Sequence, residues 1–200
     1  YERAAARSVA LIGNPNTGKT TLFNALTGLS QRVGNYPGVT VERKTGKLEL
    51  APGRTVELVD LPGAYSLAAS SPDQMIAADV LLCQQPGTSP IDVVVAIVDA
   101  SNLRRNLYLV SQLMEIGAPL VVALNMMDVA RSRGIGIDAG ALSQRLGGPV
   151  VPMCANRREG IAELRGAILD AFEGEHQQSP AVPFFPETLE RQVEVLRGSA

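Results

Sequence analysis

The chain is poor in the residues that build disulfide frameworks and metal centres. Of its 200 residues, two are cysteine, Cys83 and Cys154, and one is histidine, His176. Two cysteines make no disulfide framework, which gives the expectation of a reduced, cytosolic setting. The histidine lies in a polar stretch and reads as a solvated residue. No set of His, Cys and carboxylates has metal-ligand spacing, so tight binding of a transition metal by this chain is not expected. An excess of basic charge is also missing. The 18 basic and 20 acidic residues leave a net charge of −2, which supplies no electrostatic footprint for nucleic acid. The longest apolar runs, near 93–98 and 120–124, fall far short of the ~20 residues of a membrane helix. No signal peptide, internal repeat or low-complexity tract is visible, and Tyr1 in place of Met gives the expectation of a fragment of a longer protein.

What is present is a globular composition, 46% hydrophobic, in a length that suits one domain with a short appendage. Its clearest stretch is Gly13-Asn14-Pro15-Asn16-Thr17-Gly18-Lys19-Thr20, a complete G-x-x-x-x-G-K-[ST] phosphate loop. It stands between the apolar run 9–12, read as a buried strand, and residues 21–26, read as the first turns of a helix. Glycines let successive N–H groups turn inward around a phosphate, and the helix N-terminus adds partial positive charge. Asn14, Pro15, Asn16, Thr17, Gly18, Lys19, Thr20 and Thr21 are therefore expected to border the phosphates of a nucleotide. Lys19 should reach the β- and γ-phosphates, and the Thr20 hydroxyl should ligate Mg²⁺.

Along the rest of the chain, strand and helix patterns alternate. Strands are expected at 7–12, 41–50, 55–60, 93–99, 120–125 and 150–151, with a hairpin turn at 51–53. Residues 28–40 have no periodicity and read as a mobile loop, and 84–90 as another loop. Ser71-Pro72-Asp73-Gln74 opens a helix with a capping-box pattern, its apolar face Ile76, Val80 and Cys83. Leu103, Leu107, Val110 and Met114 form the stripe of a helix lying on a sheet. Short helices follow at 141–146 and 161–172, then a polar linker at 173–183 and a helical segment at 187–197. The alternation predicts a doubly wound, mostly parallel α/β sheet with one antiparallel edge strand. Residues 1–172 make the domain, and 173–200 a linker and the start of a C-terminal helical segment. Ligands of such sheets sit at the carboxyl ends of the strands.

That is where the remaining motifs fall. Asp60-Leu61-Pro62-Gly63 closes a strand: the carboxylate can support Mg²⁺ through a water, and the Gly63 N–H can sense a γ-phosphate. Asn125-Met126-Met127-Asp128 fits N-x-x-D, in which an Asp carboxylate accepts two hydrogen bonds from the ring N–H and exocyclic amine of guanine. Adenine lacks that donor pair, so the motif predicts guanine. Met126 can cover the base without adding charge. Cys154-Ala155-Asn156 would bring the Ala155 N–H to the guanine carbonyl oxygen, with Cys154 where many relatives of such sites have Ser. Thr40 is the candidate for a second Mg²⁺-ligating hydroxyl, present when GTP orders its loop. Ala64 stands where many small GTPases carry a water-positioning Gln, so hydrolysis should be slow or use another device.

With these residues in view, the sequence resembles the cytosolic GTPase domain of the bacterial ferrous-iron transport protein B family (FeoB), over roughly residues 8–172. The specific runs are GNYPGVTVE from Gly34 and DLPGAYSL from Asp60; GNPNTGKT, TLFNALTG and NMMD are shared with GTPases at large. The resemblance implies a Ras-like fold and GTP hydrolysis coupled to Fe²⁺ uptake by a membrane permease domain of the same polypeptide. It also implies a place on the cytoplasmic side of the bacterial inner membrane, and leaves self-association open. Potassium-responsive members carry an Asn at the position of Asn16. A catalytic set of Asn16, Lys19, Thr40 and Gly63 follows, with GTP/GDP, Mg²⁺ and K⁺ as cofactors. Two readings compete with it: a ribosome- or tRNA-associated GTPase on the same fold, and a nucleotide-gated binding module with negligible turnover.

Overall fold

Strand β1, Ser8–Gly13, is buried along its whole length. A strand read as a continuous apolar run needs cover on both faces, and β1 has it. Its side chains alternate: Val9 and Leu11 join one buried cluster with Leu22, Phe23 and Leu26 of helix α1, Lys19–Thr27, and Leu164 and Ile168 of α6, Ile161–Glu173. Ala10 and Ile12 join the other, with Ile76 and Val80 of α2, Pro72–Leu81, and Leu109, Val110 and Leu113 of α3, Leu103–Ile116. The computed structural model describes residues 7–28, 30–36, 39–68, 71–82 and 90–174. Cys83, His176, the loop expected at 84–90 except Pro90, and the expected helix at 187–197 lie outside them.

The sheet has seven strands in the order β2-β3-β4-β1-β5-β6-β7. The central and right-hand strands β4, Arg54–Asp60, β1, β5, Val93–Asp99, β6, Leu120–Asn125, and β7, Val150–Pro152, all run parallel. The expected hairpin is present as β3, Glu42–Ala51, turning at Pro52-Gly53 into β4. Its β3 is not the edge, however. A further strand β2, Gln31–Asn35, pairs antiparallel outside it, within the stretch expected to be a mobile loop. Every residue of β2 is exposed. A strand with neither face covered needs no apolar alternation, so it has no period to read.

Two helices also depart from expectation. In α3 the buried residues are Asn106, Leu109, Val110 and Leu113; Leu103, Leu107 and Met114 pack at the margin of the core. Asn106 hides the true face because it is polar, yet its side chain is satisfied: Nδ2 donates to the Asn102 carbonyl at 2.9 Å and Oδ1 accepts from Asp99 N–H at 3.3 Å. The short α4, Met127–Ser132, begins within the N-x-x-D motif and has only two buried residues to mark it. The expected opening of α2 is present: Ser71 Oγ accepts from Gln74 N–H at 3.3 Å with Pro72 at the first helical position. Helix α5, Ala139–Leu146, begins two residues before its expected start, where Asp138 caps it by accepting from Ala141 N–H.

The β2–β3 connection is anchored by Tyr36, only 1% exposed, which packs in the α2/α3 cluster. Tyr36 N–H donates to the Val41 carbonyl at 3.0 Å, extending the hairpin inward. The phenol hydroxyl is buried with no hydrogen-bond partner among the described residues. Burial pushes its pKa up to about 12 from 10.0, against the smaller opposing field of Arg43. The folded value lies above the unfolded one, so this contribution is complete below pH 10 and is lost as pH rises towards about 12. Tyr36→Phe, which removes an unpaired polar group, is expected to be as stable as the parent or more so near neutral pH. At pH about 11.5 the parent should fall behind the variant by a further ~2 kcal/mol. Denaturant unfolding at the two pH values reads this directly; an unchanged difference would contradict it.

Candidate functional site

The phosphate loop leaves β1 where the strand lies against β5. A Cβ on Gly13 would come within 2.4 Å of Ile97 Cγ2 and 2.5 Å of its carbonyl oxygen, so only glycine fits this approach. Thr17, buried, closes the loop on itself by donating from Oγ1 to the Asn14 carbonyl at 2.8 Å. Asn16 has φ 66° and Gly18 φ 86°, the left-handed region that Asn tolerates and Gly enters freely. Both turns point the loop back onto the N-terminus of α1, and Lys19 and Thr20 begin that helix.

Asn14, Pro15, Asn16, Gly18, Lys19, Thr20 and Thr21 border a cleft of about 560 Å³ together with Gly63 and Met126. It runs into a second space of about 310 Å³ that shares Lys19, Thr20 and Gly63 and adds Val41, Glu42 and Asp60. Phosphate-loop and Asp60-Gly63 residues therefore meet at one place, at the carboxyl ends of β1 and β4. Lys19 Nζ donates to Asp60 Oδ1 in an ion pair whose side chains are 15% and 8% exposed. Gly63 packs against the loop: a Cβ there would meet Pro15 at 3.5 Å. Thr40 is not brought in. It is exposed in the β2–β3 connection, while its neighbours Val41 and Glu42 reach the cleft. A larger concavity of about 710 Å³ lies elsewhere, on β2, β3 and β4.

The second half of the site is joined to the first by Asn125. Its Nδ2 donates to the Thr17 carbonyl at 2.9 Å, and its Oδ1 accepts from the Ala155 N–H at 2.9 Å. The N-x-x-D motif as a whole is expected at the base; the Asn125 amide uses both its ends inside the protein, as a brace between two loops. The Ala155 N–H, expected at the guanine carbonyl oxygen, is the donor it holds. Asn156 is exposed beside it. Met126, at φ 62°, caps α4 and borders the phosphate cleft.

Asp128 lies in the first turn of α4. The Cys154 thiol, donating to its carboxylate, holds its pKa below the ordinary value, and the Val129 N–H and nearby Arg157 act in the same direction. Arg157 Nε is 3.6 Å from Oδ2. Cys154 is buried, and burial raises its own pKa, which keeps the thiol protonated and a donor. Cys in place of Ser thus keeps the hydrogen bond to Asp128. Sequence reading missed the contacts of Lys19 to Asp60 and Cys154 to Asp128, because both join residues far apart in the chain. Ala64 is 1% exposed, and its N–H donates to the Gly13 carbonyl at 3.1 Å. Among the described residues no helix is long and apolar enough to cross a membrane.

A parallel sheet carrying a phosphate loop, an Asp-x-x-Gly turn and an N-x-x-D turn at one set of strand ends defines a Ras-like G domain. Residues 7–168 match the family model described as ferrous iron transport protein B. The chain belongs to that family, as its N-terminal G domain. It is 52% identical over 161 residues to the Fe(2+) transporter FeoB of Salmonella typhimurium, and equally so to that of Shigella flexneri. These matches cover 80% of this chain and 21% of each relative, so the chain spans about a fifth of the length of the curated relatives. Among solved structures it is similar to the cytosolic domain of L. pneumophila FeoB, at 49% identity and TM-score 0.76, over 82% of this chain and 68% of that one. The FeoB G domain of Methanococcus jannaschii is 49% identical, with TM-score 0.71 over 84% and 97% of the two chains. The cytosolic domain of the T. maritima FeoB iron transporter, solved in a GDP form, is 42% identical, with TM-score 0.77 over 84% and 64%.

Proposed function

We propose that this domain binds guanine nucleotides and hydrolyses GTP slowly, as the regulatory G domain of a ferrous-iron uptake transporter. The observation that carries the reading is the Asn125 brace. One buried amide ties the phosphate loop at Thr17 to the turn at Ala155, which lies beside Asp128. Phosphate and base contacts are thereby built as one rigid unit, as a nucleotide requires. Asp128, whose pKa Cys154 and Arg157 lower further, presents the double acceptor that suits guanine.

The chain's own residues account for binding and orientation. On nucleotide entry Lys19 exchanges Asp60 for the phosphates, so neither half-buried charge is left alone, a state that would cost several kcal/mol. Thr20 and the freed Asp60 offer the hard oxygen donors that fit Mg²⁺, which supplies charge neutralisation at the β- and γ-phosphates. Thr40 would join them after a movement of the β2–β3 connection. A water-positioning side chain does not fit at position 64, which is buried with its N–H tied to Gly13. Gly63 and the loop N–H groups then act by position and charge compensation rather than as a base. Asn16, exposed and bordering the cleft, carries a side-chain oxygen that fits a K⁺ ion, which supplies positive charge where an arginine finger would.

The remainder of the proposal follows the family. The greater length of the curated relatives supports further domains in the same polypeptide, a membrane permease among them, with the G domain working on the cytoplasmic side of the inner membrane. The buried Ala64 also favours a second reading, a nucleotide-gated module with negligible turnover. Single-turnover hydrolysis in KCl and NaCl at equal ionic strength separates the two. The rate is expected to be about tenfold higher in KCl, a fraction of the ~10³–10⁵ of an arginine finger. Asn16→Ala should lose that difference while keeping nucleotide affinity. Equal rates in both salts would overturn the potassium role, and no turnover in either would leave the binding module.

A further inference from the structure

We propose that Arg105 of α3 is a positioning residue for hydrolysis, acting through Tyr65 to hold Gly63 beside the phosphate loop. The proposal rests on the reading of the site as a GTP-hydrolysing one. Three contacts converge on the segment after Asp60, and a fourth joins the phosphate loop to α3. The Arg105 guanidinium lies 4.1 Å above the Tyr65 ring centroid. Two turns further along α3, Gln112 Oε1 accepts from the Leu67 N–H at 2.8 Å. Residues seven apart share one helix face, so the segment runs along α3 and is held at two points. Its other end is held by the Ala64 N–H on the Gly13 carbonyl at 3.1 Å. The phosphate loop itself reaches α3 at the same residue: Asn14 Nδ2 donates to the Arg105 carbonyl at 3.4 Å.

Gly63 thus lies in a stretch of chain clamped between the phosphate loop and α3. Leu67 packs against the α2/α3 cluster and Ala64 is buried, but core packing does not explain the hold on Tyr65 between them. Tyr65 is 38% exposed, belongs to neither buried cluster, and Arg105 is exposed as well. Asn14, by contrast, is 3% exposed, and its Oδ1 has no hydrogen-bond partner among the described residues. Among the described residues its side chain makes one hydrogen bond, the one to the Arg105 carbonyl. Between the hydrogen bonds of Ala64 and Leu67, what keeps Tyr65 on α3 is a cation over a ring. In an exposed place such a pair shifts a local equilibrium by about two- to fivefold. Because Gly63 faces the γ-phosphate, which GTP carries and GDP lacks, that shift appears in GTP turnover more than in GDP binding.

The test uses the chain as it stands, with GTP turnover and GDP affinity measured on each variant. Arg105→Ala and Tyr65→Leu should each lower kcat by about two- to fivefold, with GDP affinity within about twofold of the parent. Arg105→Lys and Tyr65→Phe, which keep a cation and a ring, should retain most of the parent rate. The double variant Arg105→Ala/Tyr65→Leu should be no slower than the slower single one, since both remove the same contact. Parent-like kcat in both single variants, an equal loss of GDP affinity, failure of Arg105→Lys to rescue, or additive losses would each overturn the proposal. If the parent shows no turnover, the hydrolytic reading fails by itself. Hydrogen exchange at the Ala64 and Leu67 amides then decides the clamp: faster exchange in Arg105→Ala supports it, and unchanged exchange refutes it.

Discussion

Gly18→Ala is expected to weaken guanine-nucleotide binding roughly a hundredfold or more. The reason is double. At φ 86° an L-residue is strained, which costs about 1–3 kcal/mol. The new Cβ would also stand 2.5 Å from Asn125 Nδ2, the atom that donates to Thr17. Asn125 has no free end to give way with, because its Oδ1 is held by Ala155. Displacing it unpairs buried groups at both ends and costs about 1–3 kcal/mol more. The damage is local to the two loops, so the sheet should survive. Far-ultraviolet circular dichroism should stay that of the parent while titration with a fluorescent GDP shows the loss. A variant that binds GDP within about threefold of the parent would refute the brace.

Asp128→Asn is expected to invert the base preference. Guanine presents two donors, and an ionised carboxylate accepts both; an amide replaces one acceptor with a donor. Losing charge-assisted bonds at about 1.5–3 kcal/mol each predicts GDP binding weaker by roughly 10²–10⁴-fold. Xanthine carries an oxygen where guanine carries its amine, so XDP should gain where GDP loses. An Asp carboxylate is ionised near neutral pH, and the Cys154 thiol and Arg157 lower its pKa further, so its acceptor character is present before any base arrives. Competition titrations of GDP and XDP against both proteins measure the inversion. A variant that keeps the parent's order of affinities would remove Asp128 from the base site.

The two positions differ in how far the chain alone reveals them. Gly18 and Asp128 each belong to a short motif, and the chemistry of phosphate and guanine recognition needs those residue types at those spacings. The same holds for β1, β5 and β6, whose unbroken apolar runs are the mark of strands covered on both faces. Strand β2 carries no such mark, because Gln31–Asn35 buries nothing. The buried face of α3 is shifted from the apolar stripe because Asn106 is satisfied locally and hides among polar residues. The brace at Asn125, the exchangeable pair Lys19–Asp60 and the stack of Arg105 on Tyr65 all join residues between 30 and 108 positions apart. Their meeting depends on the parallel strand order, which the motifs imply only in outline.

Guanine selection by this cleft is measured most directly by competition: a fluorescent GDP bound to the parent protein, displaced in turn by GTP, GDP and ATP in the presence of Mg²⁺. The arrangement of Asp128, Asn125 and the phosphate loop predicts displacement by both guanine nucleotides and none by ATP at concentrations about a hundredfold higher. Displacement by ATP at the same concentration as GTP would contradict it.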